Sequence, residues 1–276
     1  MNITKSIKKN SFAIYGLGLS GNSAFKFLKK NNVKSIYTWD DKKNKNEKKK
    51  LNIFKKALDE VDYIVISPGI NIKKTKFKLK LSINKKKLIT DLDLFYMQKI
   101  PVKSIVITGT NGKSTVCKLI QHIFKTNKLD AQLGGNIGKP ILDLKIKKKS
   151  IVVIEASSFQ LAYTKFIKPT FAAILNITND HLDWHNTISN YKNSKFKIFS
   201  KQDIKDIALL SDNKLINLFQ KKYYLSKLKI VKKNLLNNVI KKKINNAYLI
   251  NKPNLDNLLF AYKISKIFNI KKKNFS

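Results

Sequence analysis

Short runs of apolar and β-branched residues alternate along the chain with amphipathic stretches. Runs at Phe12–Tyr15, Ser35–Trp39, Tyr63–Ile66, Ser104–Thr108, Ile151–Glu155 and Phe171–Asn176 carry few polar positions, as strands covered on both faces of a parallel sheet do. Between and after them, helical patterns run over Lys113–Lys125, Ile188–Phe199 and Asn254–Phe268. This alternation predicts an α/β chain. Its 276 residues suggest two domains, at ~100–200 residues each, drawn here as 1–92 and 93–276. The stretch 201–250 mixes short apolar and lysine segments and predicts little, and no internal repeat is visible.

The N-terminus allows two readings. Lys5, Lys8 and Lys9 before the apolar run SFAIYGLGLSG imitate a secretory leader. The same residues also read as a strand, a glycine turn and a helix (NSAFKFLKK), and this is preferred because SIYTW follows at βαβ spacing. No stretch reaches the ~18–20 uninterrupted apolar residues of a membrane span, so no membrane partner is expected.

Charge changes the picture less than its size suggests. The chain carries 57 basic against 17 acidic side chains, a net charge of +40, which by itself points towards a phosphate backbone. Every one of the basic residues is lysine, however, and arginine, the preferred reader of base edges and bidentate phosphate partner, is absent. Lysine runs at 42–50, 72–80, 145–149 and 241–243 are spread over the whole chain. They read as solvated faces, and no nucleic-acid partner is expected. A hydrophobic content of 43% excludes general disorder. The single cysteine, Cys117, excludes an intrachain disulfide, and there is no zinc-type Cys/His cluster. A reducing, cytoplasmic setting is expected.

The sharpest local signal is Gly109-Thr110-Asn111-Gly112-Lys113-Ser114-Thr115, between the strand KSIVIT and an apolar helix. Backbone N–H groups of such a loop converge at a helix N-terminus, where partial positive charge favours phosphate. Lys113 would reach the β- and γ-phosphates of ATP, and the Ser114 hydroxyl would take Mg²⁺. The spacing departs from GxxxxGK[ST], since Gly109 stands only three residues before Gly112. A glycine turn capping a helix would explain the glycines but not GKS in that register. Glu155 closes the strand IVVIE, and His181 follows the strand FAAILN. Singly, Glu155 could cap a helix and His181 could be a satisfied core histidine. With Ser114 they would supply ligands for Mg²⁺ on ATP from one sheet edge.

GTNGKST (109–115), GGNIGKP (134–140), IEASSFQL (154–161), LNITNDHLDWH (175–185) and YKNSKFKIF (191–199) occur in one order and spacing. Together they resemble the Mur ligase family, and the SSFQL and GGNIG forms favour its D-glutamate-adding branch. The resemblance implies an N-terminal Rossmann-like UDP-sugar-binding domain and a central P-loop ATPase domain with a mostly parallel sheet. It also implies a ligase of peptidoglycan synthesis with UDP-N-acetylmuramoyl-L-alanine, D-glutamate, ATP and Mg²⁺ as partners. Its carboxylate substrate is phosphorylated by ATP, and the acyl phosphate is attacked by the amine.

By position, the resemblance implies that Lys113 is the phosphate-loop lysine, that Ser114, Glu155 and His181 are metal positions, and that Lys195 is a lysine carbamylated by CO₂ into a metal-holding anion. Ser157 and Ser158 of the SSFQL stretch are expected near substrate. In NKPNLDN, Asn254 and Asn257 fit the register of asparagines that approach adenine, although Pro253 and Asn251 depart from the family's histidine and glycine. In the first domain, Gly16-x-Gly18-x-x-Gly21 with Asp40 at the next strand's end also satisfies a dinucleotide fingerprint. Read alone it suggests NAD; beside the ligase motifs it suggests a UDP-sugar. Leu19, Ser20, Asp40 and Asp41 are then expected near uridine, and Gly18, Ser67, Gly69 and Asn136 near the diphosphate. The family's third, amino-acid-binding domain is expected to be absent, which leaves an inactive ATP- and UDP-sugar-binding protein as the alternative.

Overall fold

The computed structural model describes residues 5–232, 249, 251 and 254–270. Pro253 and the lysine run at 241–243 lie outside the described residues. The chain divides into two compact units: Met1–Ile100 with Pro140–Asp143 and Ser158–Ile167, and Pro101–Lys139 with Leu144–Ser157 and Lys168–Ser276.

The first unit is built on β1 (Phe12–Tyr15), β2 (Ile36–Trp39), β3 (Tyr63–Ile66) and β4 (Leu88–Ile89), in the order β2-β1-β3-β4 and parallel throughout. Tyr15, Trp39, Phe54 and Phe77 cluster on one face of the sheet, while Ile14, Ala24 and Leu28 pack on the other. Burial on both faces is why these strands read as unbroken apolar runs. Strand order reverses about β1, so the glycine turn after it opens at a switch point. The returning segment Ser158–Ile167 is held by Asp93: one carboxylate oxygen accepts from Thr164 Oγ1, Lys165 N and Phe166 N at 2.7–2.8 Å. Its other oxygen closes a capping box with Thr90 at the start of the helix Asp91–Met97.

The second unit carries β5 (Lys103–Thr108), β6 (Ala131–Gly135), β7 (Ile151–Glu155), β8 (Phe171–Ile174), β9 (Ile207–Leu210) and β10 (Lys227–Ile230). Their order is β10-β9-β8-β5-β7-β6, again all parallel. The α/β class expected from the sequence is the class found. Helices Lys113–Thr126 and Asn254–Ile267 contribute Val116, Ile120, Phe124, Leu258, Ala261 and Tyr262 to one core with β5 and β7. The expected helix to Phe199 is α-helical only over Ile188–Phe196, and Lys197–Phe199 wind into a 3₁₀ turn. Because β5 has β7 on one side and β8 on the other, its carboxyl end opens the crevice where an α/β sheet takes its ligand.

Candidate functional site

The loop after β5 turns into its helix through Gly112, whose φ of +83° is left-handed and therefore suits glycine. Space imposes the same choice: a Cβ there would stand 2.0 Å from Asn257 Oδ1. Asn257, buried at the start of the helix Asn254–Ile267, thus sits on the loop itself, and its amide lies 3.4 Å from Asn254 Oδ1. Lys113 folds back, its ammonium donating to the carbonyls of Gly109 at 3.0 Å and Thr110 at 2.7 Å. Val116 N, bonded to Gly112 O at 2.9 Å, is the first paired amide of the helix. The preceding helical amides form the anion-seeking end.

Ser114 and Glu155 are brought together. Ser114 Oγ donates to Glu155 Oε2 at 2.8 Å, and Asn136 Nδ2 donates to Oε1 at 2.9 Å. Asn136 N also donates to the Glu155 backbone carbonyl at 2.8 Å, and Gly135, at φ +107°, makes the turn that carries Asn136 there. A buried carboxylate facing a hydroxyl beside a phosphate loop is a hard-oxygen donor set. It fits Mg²⁺, which takes few protein ligands and completes its shell with water and phosphate. Among the described residues, no group of three His, Cys, Asp or Glu side chains is gathered as an all-protein metal cage. Cys117, one turn beyond Lys113, is buried, and burial first, then Glu155, pushes its thiol well above the usual range; it is chemically quiet.

Lys195 lies on the other side of the loop. It is 1% exposed, donates to the Gly109 carbonyl at 2.7 Å, and stands 4.5 Å from the centre of the Tyr191 ring. Burial, and then the nearby Lys113, bring its pKa down to about 7. Tyr191 OH meets Thr110 Oγ1 at 3.0 Å, and its ring is edge-on to His185 at 5.2 Å and His181 at 6.3 Å. His181 caps the helix Leu182–His185 at φ +52°, with Nε2 3.4 Å from Asp180 Oδ2. His185 is held neutral: burial, then Lys195 and His181, lower it to about 4. Thus Lys113, Ser114, Glu155 and Asn136 form one connected group, and Lys195, Tyr191 and His181 form another that meets it at the Gly109 carbonyl. Tyr191, Asn176 and Thr178 were not singled out from the sequence; single Tyr, Asn and Thr residues inside otherwise recognisable motifs carry no spacing signal of their own.

In the first unit, Gly16 at φ +91° and Gly21 make the turn, and a Cβ on Gly21 would fall 1.8 Å from Gly16 O. Ser67 Oγ donates to that same carbonyl at 2.7 Å. Gly18 and Gly69 have open space where a Cβ would go, and Leu19 is 82% exposed. Asp40 has both oxygens engaged: Oδ2 accepts from Leu17 N at 2.7 Å, and Oδ1 from Lys42 N and Lys43 N at 3.0 and 3.1 Å. Burial opposes its charge, but these donors outweigh it and lower the pKa. Asp41 accepts from Tyr15 OH at 2.5 Å and Trp39 Nε1 at 2.9 Å, with Lys76 at 3.1 Å. Ser20 hydrogen-bonds the buried Asp91 carboxylate. Ser157 and Ser158 are both buried where the chain leaves β7, with Ser157 in the second unit and Ser158 in the first.

A central parallel strand, a left-handed glycine leading into Lys-Ser at a helix start, and a carboxylate on the neighbouring strand define a nucleotide-binding protein of the phosphate-loop class. Residues 107–273 match the family model for the Mur ligase middle domain, and the chain belongs to the Mur ligase family. It is 34% identical over 292 residues to the UDP-N-acetylmuramoylalanine--D-glutamate ligase of Rickettsia prowazekii (strain Madrid E), covering 96% of this chain and 65% of that protein. To the enzyme of the same name from Aquifex aeolicus (strain VF5) it is 37% identical over 202 residues, covering 73% of this chain and 46% of that one. The chain therefore spans less than two thirds of the length of these curated relatives. Among solved structures, a murein peptide ligase from Psychrobacter arcticus 273-4 superposes with a TM-score of 0.52 at 13% identity, over 95% of this chain and 65% of that one. That likeness shows the fold. No helix among the described residues is long and apolar enough to cross a membrane.

Proposed function

We propose that the chain carries the UDP-sugar-binding part (1–92) and the ATP-binding part (93–276) of a ligase that joins D-glutamate to UDP-N-acetylmuramoyl-L-alanine. The observation that carries this reading is the Ser114–Glu155 pair beside Lys113 on a loop that only glycine can turn. In the first step, a carboxylate oxygen of the substrate bonds to the γ-phosphorus of ATP as the bond to the β-bridging oxygen breaks, leaving an acyl phosphate and ADP. In the second, the amine of D-glutamate bonds to the acyl carbon, phosphate leaves and the amine nitrogen gives up a proton. Ser114 and Glu155 would hold Mg²⁺, with His181 and carbamylated Lys195 as further metal ligands, and the ion would neutralise charge on the phosphates.

The protein's own part is orientation. Lys113 exchanges two loop carbonyls for β- and γ-phosphate oxygens, and the helix-start amides hold the β-phosphate. A pKa near 7 keeps part of the Lys195 population as the free amine. That amine can bond to the carbon of CO₂ and release a proton, giving a carbamate in place of an ammonium. Asn254 and Asn257 are assigned to the adenine of ATP. In the first unit Leu19, Ser20, Asp40 and Asp41 are assigned to the uridine and Gly18, Ser67 and Gly69 to the diphosphate. Asp40, accepting three backbone N–H groups, braces the turn at that site.

The test is mass-spectrometric detection of UDP-N-acetylmuramoyl-L-alanyl-D-glutamate, with ADP and phosphate in equal amounts, from the chain, both substrates, ATP, Mg²⁺ and bicarbonate. Titration with UDP-N-acetylmuramoyl-L-alanine, Mg·ATP and NAD accompanies it. Tighter binding of NAD than of the UDP-sugar, or no binding of Mg·ATP, overturns the reading.

A further inference from the structure

The apex of the phosphate loop is gripped from the side by the residues following β8. Leu175 N donates to Thr108 O at 3.0 Å, which prolongs the β8–β5 pairing to the edge of the loop. Asn176 then makes three hydrogen bonds to it. Its carbonyl accepts from Thr110 N at 3.0 Å, its Oδ1 accepts from Asn111 N at 2.9 Å, and its Nδ2 donates to Asn111 O at 3.1 Å. A side-chain amide that offers both acceptor and donor to one residue's N–H and C=O acts as a stand-in for a neighbouring strand. Two residues further on, Thr178 N donates to Thr110 Oγ1 at 3.0 Å. The approach is close enough that a Cβ on Gly109 would stand 3.1 Å from Leu175 Cβ and 3.4 Å from Asn176 N.

These bonds fix which amides remain for an anion. The N–H groups of Thr110 and Asn111 point at Asn176 and are satisfied there, whereas those of Lys113, Ser114 and Thr115 open a helix and have no partner within it. The loop is thereby divided into a clamped half and a phosphate-facing half. We propose that Asn176 is a positioning residue for nucleotide binding, its side-chain amide holding Asn111 so that the 113–115 amides meet the β-phosphate. This rests on the nucleotide reading given above. Asn176 also borders a cavity of about 480 Å³ together with Ser211, Asp212, Asn213 and Phe260, so direct contact with a nucleoside is the rival role, and the experiment must separate the two.

The experiment compares the chain with Asn176→Ala and Asn176→Asp, measuring Mg·ADP affinity by calorimetry, AMP affinity by competition, and hydrogen exchange at individual amides. A positioning role predicts that Asn176→Ala weakens Mg·ADP roughly tenfold while AMP, which has no β-phosphate, changes by less than about twofold. Exchange should quicken at Asn111, whose N–H is bonded to the lost side chain, more than at Thr110, whose partner is the retained Asn176 backbone carbonyl, while Ile105–Ile107 stay protected. Asn176→Asp retains the acceptor for Asn111 N but turns an anionic oxygen towards Asn111 O, so it should restore slow exchange at Asn111 only in part. Equal losses for AMP and Mg·ADP would assign Asn176 to the nucleoside. Unchanged Mg·ADP affinity, or a loss of protection throughout β5 in both variants, would also overturn the proposal. Should the unsubstituted chain fail to bind Mg·ADP, the nucleotide reading fails and the proposal with it, whereas the exchange pattern still reports whether the clamp exists.

Discussion

Lys113 and Lys195 donate hydrogen bonds to one carbonyl oxygen, that of Gly109, at 3.0 and 2.7 Å. Two ammonium groups converging on one acceptor repel each other. Burial of the Lys195 ammonium first, and its repulsion by Lys113 second, bring its pKa down to about 7. A bound triphosphate would draw Lys113 off the carbonyl and bring negative charge instead. The loop as it stands is therefore electrostatically poised for an anion.

Lys113→Met removes both the phosphate-loop cation and the positive charge that, after burial, holds the Lys195 pKa down. Mg·ATP affinity should fall at least roughly a hundredfold, the scale of a lost charged hydrogen bond pair, while UDP-N-acetylmuramoyl-L-alanine affinity stays within about twofold. In the same variant, the Lys195 side chain, followed by NMR in CO₂-free buffer, should titrate at higher pH. A Lys195 midpoint that did not move would show that burial alone sets it.

Gly112→Ala meets two obstacles, a left-handed φ and the Asn257 side chain at 2.0 Å from the new methyl. It should destabilise the chain by about 3 kcal/mol, combining the left-handed penalty with a clash against a buried side chain. The double variant Gly112→Ala with Asn257→Gly relieves the clash but not the φ, and should recover more than half of that loss in urea unfolding. Additive losses in the double variant would mean that the two residues do not meet.

The residues that were legible in the sequence share a feature: their chemistry is written in adjacent positions. Gly112, Lys113 and Ser114 announce a phosphate loop because glycine, cation and hydroxyl are needed in one turn, and β1, β5 and β7 announce themselves as unbroken apolar runs. β6 was missed because Gly134 and Gly135 occupy its end, where backbone comes within 2.7 Å of a would-be Cβ, and glycine breaks the strand pattern. β9 (IALL) was lost among lysine-rich neighbours. β10, with Lys227 and Lys229 exposed at the sheet edge, carries the charges that protect such edges. The grip of Asn176 on Asn111 and of Asn257 on Gly112 joins residues far apart in the chain, and no local pattern encodes it. Nor did the sequence mark the two short returns, Pro140–Asp143 and Ser158–Ile167, into the first unit.

The glycine turn after β1 separates fold from function within six residues. Gly21→Ala would place a methyl 1.8 Å from the Gly16 carbonyl, backbone that cannot yield, and should cost roughly 4 kcal/mol. Gly18 has an ordinary φ of −71° and no atom within 4 Å of the place a methyl would take. Gly18→Val should therefore leave the melting temperature almost unchanged while weakening the UDP-sugar at least roughly tenfold by blocking approach of its diphosphate to the backbone. Full UDP-sugar affinity in a folded Gly18→Val chain would remove that turn from the binding site.

Lys195 makes stability depend on pH with a definite sign. Its ordinary pKa is 10.5 and its folded value about 7, so between those limits the unfolded chain holds a proton that the folded chain has released. Stability rises with pH wherever the unfolded state binds more protons, so this residue's contribution should improve from pH 7 towards 10.5. Below pH 7 both states are protonated, and the folded chain bears the whole cost of a buried ammonium. Lys195→Met should accordingly be more stable than the parent at pH 6 by about 1–3 kcal/mol, and that advantage should shrink steadily as pH rises. Urea unfolding of both chains in CO₂-free buffer from pH 6 to 10 measures the difference, in which the remaining lysines cancel. A difference that is flat across this range would place the Lys195 titration elsewhere, and one that grows with pH would mean that the ammonium is stabilised by the Gly109 carbonyl and the Tyr191 ring more than burial opposes it.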